Sequence, residues 1–365
     1  MKITLKFIQF LLVSAFLGCT NDAGTPAPAI SPFASLETAI ANKMTQYNMP
    51  GVSIAIVKNE KLVYLESFGY ADKEANELAS NDNLWRIASV SKPITAVAIF
   101  KLVQEGKLTL DQKVFGDNGV LGNDYGEVPP GSNKDLISVR HLIDHKSGWT
   151  NIPDDPMFLD VSLTQAQLIT DLLTNRVLTD TPGEIFYYSN FGYCVLGRVI
   201  EKVTQKTYEE YVQKTILSPM GITEMKIGGN TLAERFTNEV KYYQIESSPY
   251  LMNVTRMDSH GGWIASAKDL AKFMVRIDRL SSVPDILPQS SLIQNTYFGY
   301  FNWFHYGSLP GTSAILNRLD DTFSFVLLTN TRTNNNGNII LEDLNTTMET
   351  QIRSISSWPN VNLFD

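Results

Sequence analysis

The sequence predicts a mixed α/β protein of the α+β type. A mostly antiparallel sheet is built from both chain ends and flanked by helices, with a helical second lobe between them. Three observations predict this. In "GVSIAIVKNEKLVYLESFGYAD" apolar and polar residues alternate on both sides of Lys58-Asn59-Glu60, the pattern of a hairpin. "TSAILNRLDDTFSFVLLTN" forms a second hairpin turning at Asp320-Asp321. Between them, residues from about 89 to 285 read mainly as helix, so the two strand-rich ends must meet in one sheet.

The chain begins "MKITLKFIQFLLVSAFLGC": two lysines, an apolar run of about a dozen residues and then Gly18-Cys19. That run is too short to span a bilayer comfortably and reads as a secretory leader. Residues 1–19 are therefore expected to direct export. Gly18-Cys19 has the form of a bacterial lipobox, in which Cys19 is lipidated after cleavage; a plain leader with an incidental cysteine is the other reading. Residues 20–33, with "TNDAGTPAPAISP", form a polar, proline-bearing tether. The expected location is the bacterial cell envelope, facing the periplasm or exterior, with a lipid anchor at Cys19 as the membrane partner.

Residues 34–365 form the expected catalytic domain. Its sheet lobe covers about 34–110 and 286–365, its helical lobe about 111–285. A composition of 43% hydrophobic and 19% charged residues over 365 positions is enough to bury a large core. Net charge is −8 with no basic block, which excludes nucleic acid as a partner. Besides Cys19 the only cysteine is Cys194, so there is no disulfide framework; at helical spacing with Phe191, Leu196 and Val199 it reads as a small buried apolar residue.

The remaining elements follow in order. A short helix runs from about Ser35 to Tyr47. "ISVRHLIDHKSG" is a helix with Ser138 as N-cap and Gly148 just past its end. "SAKDLAKFMVRI" begins with Ser266 and Asp269 at capping-box spacing, followed by an apolar stripe of Leu270, Phe273, Met274 and Ile277. "NWFHYGS" supplies one more strand, and a helix from about Leu341 to Ile355 closes the chain.

The chemistry begins at "RIASVSKPITA", which opens a helix that is apolar almost all round and therefore buried. Pro93 is tolerated in its first turn. Ser89 falls at the helix N-terminus, with Lys92 one turn on along the same face. A desolvated lysine has a lowered pKa and can take a serine proton, and the helix N-terminus favours the anion formed after attack. Ser91 faces elsewhere. The plain alternative for a bare S-x-x-K is an N-cap serine beside a solvent-facing lysine.

In "TPGEIFYYSNFGY", Tyr188 and Asn190 are two residues apart and point the same way in an extended segment. A phenolate near ammonium groups shuttles protons, and a carboxamide binds a substrate amide. Tyr187 is the competing register. In "FHYGSLPGTSA", His305, Tyr306 and Gly307 lie on the expected strand, with Gly307-Ser308 leaving backbone room beside a ligand. A Ser308 N–H facing the Ser89 N–H would complete an oxyanion hole. A lone strand histidine also has a purely structural reading. His141 and His145 have the i, i+4 spacing of a metal pair but no evident third ligand, so neither metal nor cofactor is expected.

Taken in this order, the three pieces resemble the serine β-lactamase and penicillin-binding superfamily, whose motifs include S-x-x-K. The branch most resembled is that of class C β-lactamase-related hydrolases, which also holds DD-peptidases and esterases. "WRIASVSKPITAVAIFKLVQEGKLTLDQKV", "PGEIFYYSNFGYCVLGRVIEKVT" and "GGWIASAKDLAKF" carry the resemblance over nearly the whole mature chain. It implies a β-lactamase/transpeptidase-like fold. It further implies Ser89 as acylated nucleophile, Lys92 and Tyr188 as the proton-transfer pair, and Asn190 as holder of the substrate amide. His305 and Gly307 match the ends of the third motif, the Ser89 and Ser308 backbones match the oxyanion hole, and His145 is structural. The substrate so implied is a small molecule or peptide, peptidoglycan-derived among the options.

The third motif departs from the pattern. H-Y-G stands where lactamases generally carry K-T-G. Histidine near neutral pH offers no fixed charge to a substrate carboxylate, and Tyr306 adds bulk where a compact hydroxyl is usual. Both changes point toward peptidase or esterase work with weak β-lactam turnover. A non-hydrolysing penicillin-binding or sensor protein is the alternative.

Overall fold

The computed structural model of the chain describes residues 31–364 except 246, 295–296, 300–301 and 333–336. The leader, Cys19 and the tether as far as residue 30 lie outside the described residues. Helix α1 (Ala34–Gln46) precedes strands β1 (Gly51–Lys58) and β2 (Lys61–Asp72). The turn between them puts Asn59 and Glu60 at φ +49° and +60°, the paired left-handed geometry that suits the twist of a two-residue hairpin. The short β3 (Glu77–Leu78) and β4 (Trp85–Arg86) follow, then a 3-10 turn at Ala88–Val90 and α2 (Ser91–Gln104).

The middle of the chain holds α3 (Val139–Ile143), α4 (Pro156–Leu159), α5 (Gln165–Asn175), α6 (Asn190–Thr204) and α7 (Tyr208–Val212). After them come β5 (Lys226–Ile227), β6 (Trp263–Ala265), α8 (Ala267–Met274) and α9 (Gln289–Ile293). Strands β7 (Trp303–Leu309), β8 (Thr312–Arg318) and β9 (Phe323–Thr329) and helix α10 (Gly337–Ser354) complete the chain.

The two ends do meet. One sheet has the order β3-β2-β1-β9-β8-β7, with β1 from the N-terminal hairpin pairing antiparallel to β9. Both faces of its central strands are buried, and the period of two sorts them. Val52, Ile54, Ile56, Ile315, Phe325 and Leu327 join the core under α1 and α10, while Ala55, Val57, Ala314, Leu316, Val326 and Leu328 join the larger core on the other side. Phe33, at the end of the expected tether, already belongs to the first of these and packs on Tyr64 and Trp358.

The middle differs from its expected form in three ways. A second, three-stranded sheet β4-β6-β5 is present, built of strands too short to show an alternating pattern. Helix α8, placed by sequence in the helical lobe, packs on β1, β2 and β9, because its Leu270, Phe273 and Met274 stripe is buried there. The helix of "ISVRHLIDHKSG" stops at Ile143, and His145 takes a left-handed φ of +57°. Its Ser138 cap is nonetheless as expected, closed by a box in which Ser138 and His141 exchange hydrogen bonds.

Candidate active site

The segment entering the site is clamped before it reaches Ser89. Arg86 is buried, donates to the carbonyls of Pro249 and Gly229, and stacks its guanidinium 4.3 Å from the Tyr242 ring centroid. The Arg86 N–H donates to the Tyr242 hydroxyl and the Ile87 N–H to the Trp263 carbonyl. Ala88 then sits at φ +48°, a left-handed conformation costly for a residue with a Cβ and held by packing on Met252, Val254, Met257 and Leu309. Ser89 follows in the 3-10 turn, two residues ahead of the start of α2 and so at the N-terminal end of that helix.

Lys92 still lies one turn on. It is fully buried, and its Nζ is 3.1 Å from Ser89 Oγ, 2.7 Å from Asn190 Oδ1 and 2.9 Å from the His260 carbonyl. Burial brings its pKa down to about 7, with the Asp155 carboxylate acting in the opposite direction. The solvent-facing lysine of the plain alternative is thus ruled out. Ser91 is buried and donates its hydroxyl to the Ala88 carbonyl at 2.7 Å, leaving Ser89 as the serine that faces the lysine.

Tyr188 and Asn190 arrive together on either side of Ser189, which is extended at φ −131° and ψ 111°. Ser189 is the N-cap of α6, its hydroxyl accepting from the Gly192 N–H, and Asn190 is the first helical residue. Tyr188 borders the same cavity as Ser89, close enough for the Ser89 side chain to act on its phenol, and its ring lies 4.7 Å from Lys92 Nζ. Desolvation raises the Tyr188 phenol above its ordinary 10, more than the Ser89 side chain lowers it. Tyr188, 36% exposed with its hydroxyl desolvated, therefore rests as a neutral phenol at neutral pH and reaches the phenolate form only by giving up that proton. Tyr187, the competing register, turns away to Asp180 at 2.7 Å.

His145 props this pair. The Ser189 N–H donates to His145 Nδ1 at 3.0 Å, so the ring proton is on Nε2, which donates to the Tyr297 hydroxyl at 2.9 Å. The imidazole is stacked 4.7 Å from the Tyr188 ring, and burial holds its pKa well below 6.5. Both of its nitrogens are engaged, and His141 Nδ1 accepts from the Ser138 N–H, so the i, i+4 spacing serves capping and packing.

From the sheet side come His305, Tyr306, Gly307 and Ser308 on edge strand β7. His305 Nδ1 lies 2.9 Å from the Tyr306 carbonyl and so carries the proton; burial pushes the ring pKa down to about 3, leaving it uncharged. Gly307 has a use the sequence did not indicate. A Cβ there would collide with the Ile87 carbonyl oxygen, so its bare backbone makes room for the segment leading into the Ser89 turn rather than for a ligand. Leu309 and Thr312 close a two-residue turn and pair directly. By antiparallel alternation, Ser308 then points its N–H off the sheet edge, toward the Ala88–Val90 turn that packs on β7. The Ser89 N–H takes no backbone partner among the described residues. Two such N–H groups are the parts of an oxyanion hole.

These groups border one cavity of ≈ 740 Å³, lined among others by Ser89, Tyr188, Asn190, His305, Tyr306 and Ser308. Sequence reasoning missed two members of the site. Asp155, the N-cap of α4, accepts from Asn190 Nδ2 at 2.5 Å, so Asn190 bridges it to Lys92. Asp-Pro at a helix start was legible, but its meeting with a residue 35 positions on was not. His260 lends Lys92 its carbonyl, and its loop is fixed by Thr95 Oγ1 donating to the Ser259 carbonyl at 2.6 Å.

A serine bonded to a buried lysine of lowered pKa, facing an open strand edge, is the arrangement of a serine hydrolase. The beta-lactamase family model matches residues 36–341, and the chain belongs to that family. Protein flp of Staphylococcus aureus (strain NCTC 8325 / PS 47) is 33% identical over 192 residues, 52% of this chain and 37% of that protein. Penicillin-binding protein 4* of Bacillus subtilis (strain 168) is 29% identical over 201 residues, 52% of this chain and 42% of its own length. The matched segment thus spans about two fifths of the length of these relatives.

Among solved structures, the octameric penicillin-binding protein homologue from Pyrococcus abyssi is 27% identical with a TM-score of 0.66, covering 86% of this chain and 77% of its own. The D-amino acid amidase from Ochrobactrum anthropi SV3, complexed with L-phenylalanine amide, is 22% identical with a TM-score of 0.72, over 89% of this chain and 99% of that one. The D-alanine carboxypeptidase AmpC from Burkholderia cenocepacia is 18% identical with a TM-score of 0.66, over 87% and 99%. At those identities the last two share the fold.

Proposed function

We infer that the chain is an exported serine hydrolase acting through an acyl-enzyme at Ser89 on D-alanyl peptides, amides or esters, with weak β-lactam turnover. The observation that carries this is the 3.1 Å contact between Ser89 Oγ and a fully buried Lys92 whose pKa is near 7. At neutral pH about half of such lysines are uncharged and able to take the serine proton. Ser89 Oγ then bonds to the substrate carbonyl carbon while the Ser89 and Ser308 N–H groups receive the oxyanion. Tyr188, a phenol beside Ser89, passes its proton to the leaving group as the carbonyl–leaving-group bond breaks and is reprotonated from Lys92. Water cleaves the ester by the reverse proton path.

Weak β-lactam turnover follows from an uncharged His305 and from the half-buried Tyr306 ring, which narrows the cavity beside Ser308. A fluorescent penicillin and a fluorophosphonate probe test the acyl-enzyme directly. Labelling is expected in the wild type, lost in Ser89→Ala and kept in Ser91→Ala; a wild type that takes neither label refutes the reading. Label that accumulates with no turnover of p-nitrophenyl acetate, a D-Ala-D-Ala peptide or nitrocefin identifies a non-hydrolysing penicillin-binding protein instead. Nitrocefin is expected to be the slowest of the three, and fast nitrocefin hydrolysis contradicts the role given to His305 and Tyr306. Export and lipidation predict that the protein fractionates with membranes and that Cys19→Ala releases it; release-independent fractionation refutes the anchor.

A further inference from the structure

The catalytic cavity adjoins a second one. This cavity of ≈ 420 Å³ lies between α10 and strands β7 and β8, lined among others by Tyr297, Phe304, Asn317, Asn345 and Glu349. Phe304 borders both cavities, so they meet at its ring, which is 56% exposed. Asn317 is the unusual residue here. It stands on β8 between Ile315 and Leu319, which both belong to the core under α1 and α10, and is itself buried. A carboxamide on an apolar strand face is costly and is kept where its polar atoms are used. Asn317 Nδ2 donates to Asn345 Oδ1 of α10 at 2.6 Å. The pair makes no other side-chain hydrogen bond among the described residues. Whichever way the two amides are turned, one NH2 group and one carbonyl oxygen are left over. Neither is sealed from solvent, and both residues line the cavity. The charged groups around them are already paired, Arg318 with Asp321 and Glu349 with Arg353. Recognition in this cavity therefore falls to neutral amides and an aromatic ring.

The second cavity lies on the leaving-group side of Ser89. Tyr188, which gives its proton to the leaving group, stacks on His145. His145 donates to the Tyr297 hydroxyl, and the Tyr297 ring lies 5.0 Å from His305. Tyr297 itself lines the second cavity. The proton donor and this cavity are thus on one side of the reacting serine. Phe304 is four residues from Ser308 along β7, about 13 Å at ~3.3 Å per residue. It stands directly opposite Asn317 on β8. Phe304, Tyr306 and Ser308 share the alternation that turns backbone groups off the sheet edge. A chain laid along that edge runs from the oxyanion strand to the Asn317–Asn345 pair.

We propose that this second cavity binds the distal part of the leaving group, and that the preferred substrates are peptides cut at an internal bond, with a leaving portion of three or more residues. A span of about 13 Å takes three to four extended residues. A peptide amide there brings the carbonyl and the N–H that the Asn317–Asn345 pair can still bond, and the Phe304 ring covers the residue before it. The inference rests on the acyl-enzyme reading and narrows it to leaving groups longer than one residue. Acylation forms the Ser89 ester and breaks the internal peptide bond. The nitrogen of the leaving peptide takes the Tyr188 proton, and that peptide departs with its own C-terminus unchanged. Water then hydrolyses the ester and returns the acyl portion as a free acid. No charge on the leaving portion is required, in keeping with the uncharged His305.

The test uses four N-acetylated peptides that share one acyl portion ending in D-alanine. Their leaving portions are D-alanine alone, or D-alanine followed by one, two or three glycines. All end in a C-terminal amide, so length changes and charge does not. In the wild type kcat/KM is expected to be about tenfold higher for the longest leaving portion than for the single residue, the effect of two neutral hydrogen bonds. The gain should arrive at the third or fourth residue. Asn317→Leu and Asn345→Ala should each bring that ratio to near one. Ser89 labelling reports whether each variant folds, and if Asn317→Leu fails to fold, Asn345→Ala carries the test. Equal cleavage of all four peptides by the wild type, or preference for the shortest, overturns the proposal while leaving the acyl-enzyme intact. So does a wild type that labels at Ser89 but cleaves none of them. A length advantage that survives in the variants overturns the role of the amide pair, and equal loss of short and long cleavage overturns it by marking the pair as structural. A wild type that cleaves none and takes no label refutes the acyl-enzyme and the second cavity together.

Discussion

Replacing Asp155 by Asn should move the acid limb of the pH–rate profile to lower pH by about one unit. Asp155 reaches Lys92 through Asn190, with contacts of 2.5 Å and 2.7 Å on either side of the carboxamide. Adding about 2.3 Å across the amide itself, the two charges are no more than about 7.5 Å apart. At an effective dielectric near 20 that separation gives about 2 kcal/mol favouring the Lys92 ammonium. Asp155 is only partly buried, so water screens part of it and about one pKa unit survives. The sign follows from the direction of the two effects. Burial depresses Lys92 and Asp155 raises it, so removing the carboxylate lowers the pKa further below its value of about 7. The base is then uncharged at more acidic pH, and at pH 6 kcat/KM rises roughly fivefold relative to the wild type. Asparagine keeps an oxygen for Asn190 Nδ2, so the geometry survives. The assay is kcat/KM on p-nitrophenyl acetate between about pH 5 and 8.5, with Ser89 labelling as the check on integrity. An acid limb that stays in place or moves to higher pH, in a variant that still labels, refutes Lys92 as the titrating base.

Other substitutions read other parts of the site. Gly307→Ala puts a Cβ within 2.1 Å of the Ile87 carbonyl oxygen, so β7 must separate from the Ser89 turn; acylation should fall by about tenfold or more, and wild-type rates would show that the packing is slack. Ser91→Ala removes a buried hydrogen bond to Ala88 and should cost about 1 kcal/mol in chemical denaturation with labelling retained. Cys194 is fully buried with its thiol pushed up to about 12, so iodoacetamide at pH 8 should alkylate it only after unfolding; stoichiometric alkylation of the native protein, read by mass, contradicts this packing.

What the sequence made legible divides along a physical line. The hairpins and α1 are local patterns, and their periodicities fixed them nearly to the residue. The contact between Ser89 and Lys92 is also local, one helical turn, so geometry alone could choose Ser89 over Ser91. Asp155 carries no such signal, because its partner Asn190 arrives from a different helix. The same holds for Arg86, whose clamp on Tyr242 and Pro249 decides where the Ser89 turn can sit. The strands β4, β5 and β6 are two or three residues long, so their pairing is a tertiary event with no periodicity to announce it. At Gly307 the need for bare backbone was visible, but not that Ile87 would occupy the room.

The protonation states are where tertiary structure changes the chemistry. A lysine and a tyrosine beside a serine have two resting forms with the same number of protons: ammonium with phenolate, or amine with phenol. In water the separation of their ordinary pKa values is small, so the sequence does not choose. Burial decides, because desolvation penalises both charged forms at once, lowering Lys92 and raising Tyr188. Of these two forms the uncharged pair is therefore favoured, with about half of the Lys92 side chains uncharged at neutral pH, and the amine of Lys92 is the base we propose for acylation. His305 is also uncharged at this pH and adds nothing to that balance. Near neutral pH Tyr188 thus rests neutral beside Ser89, while Lys92 sits at its own titration midpoint and can take up or give back a proton at little cost.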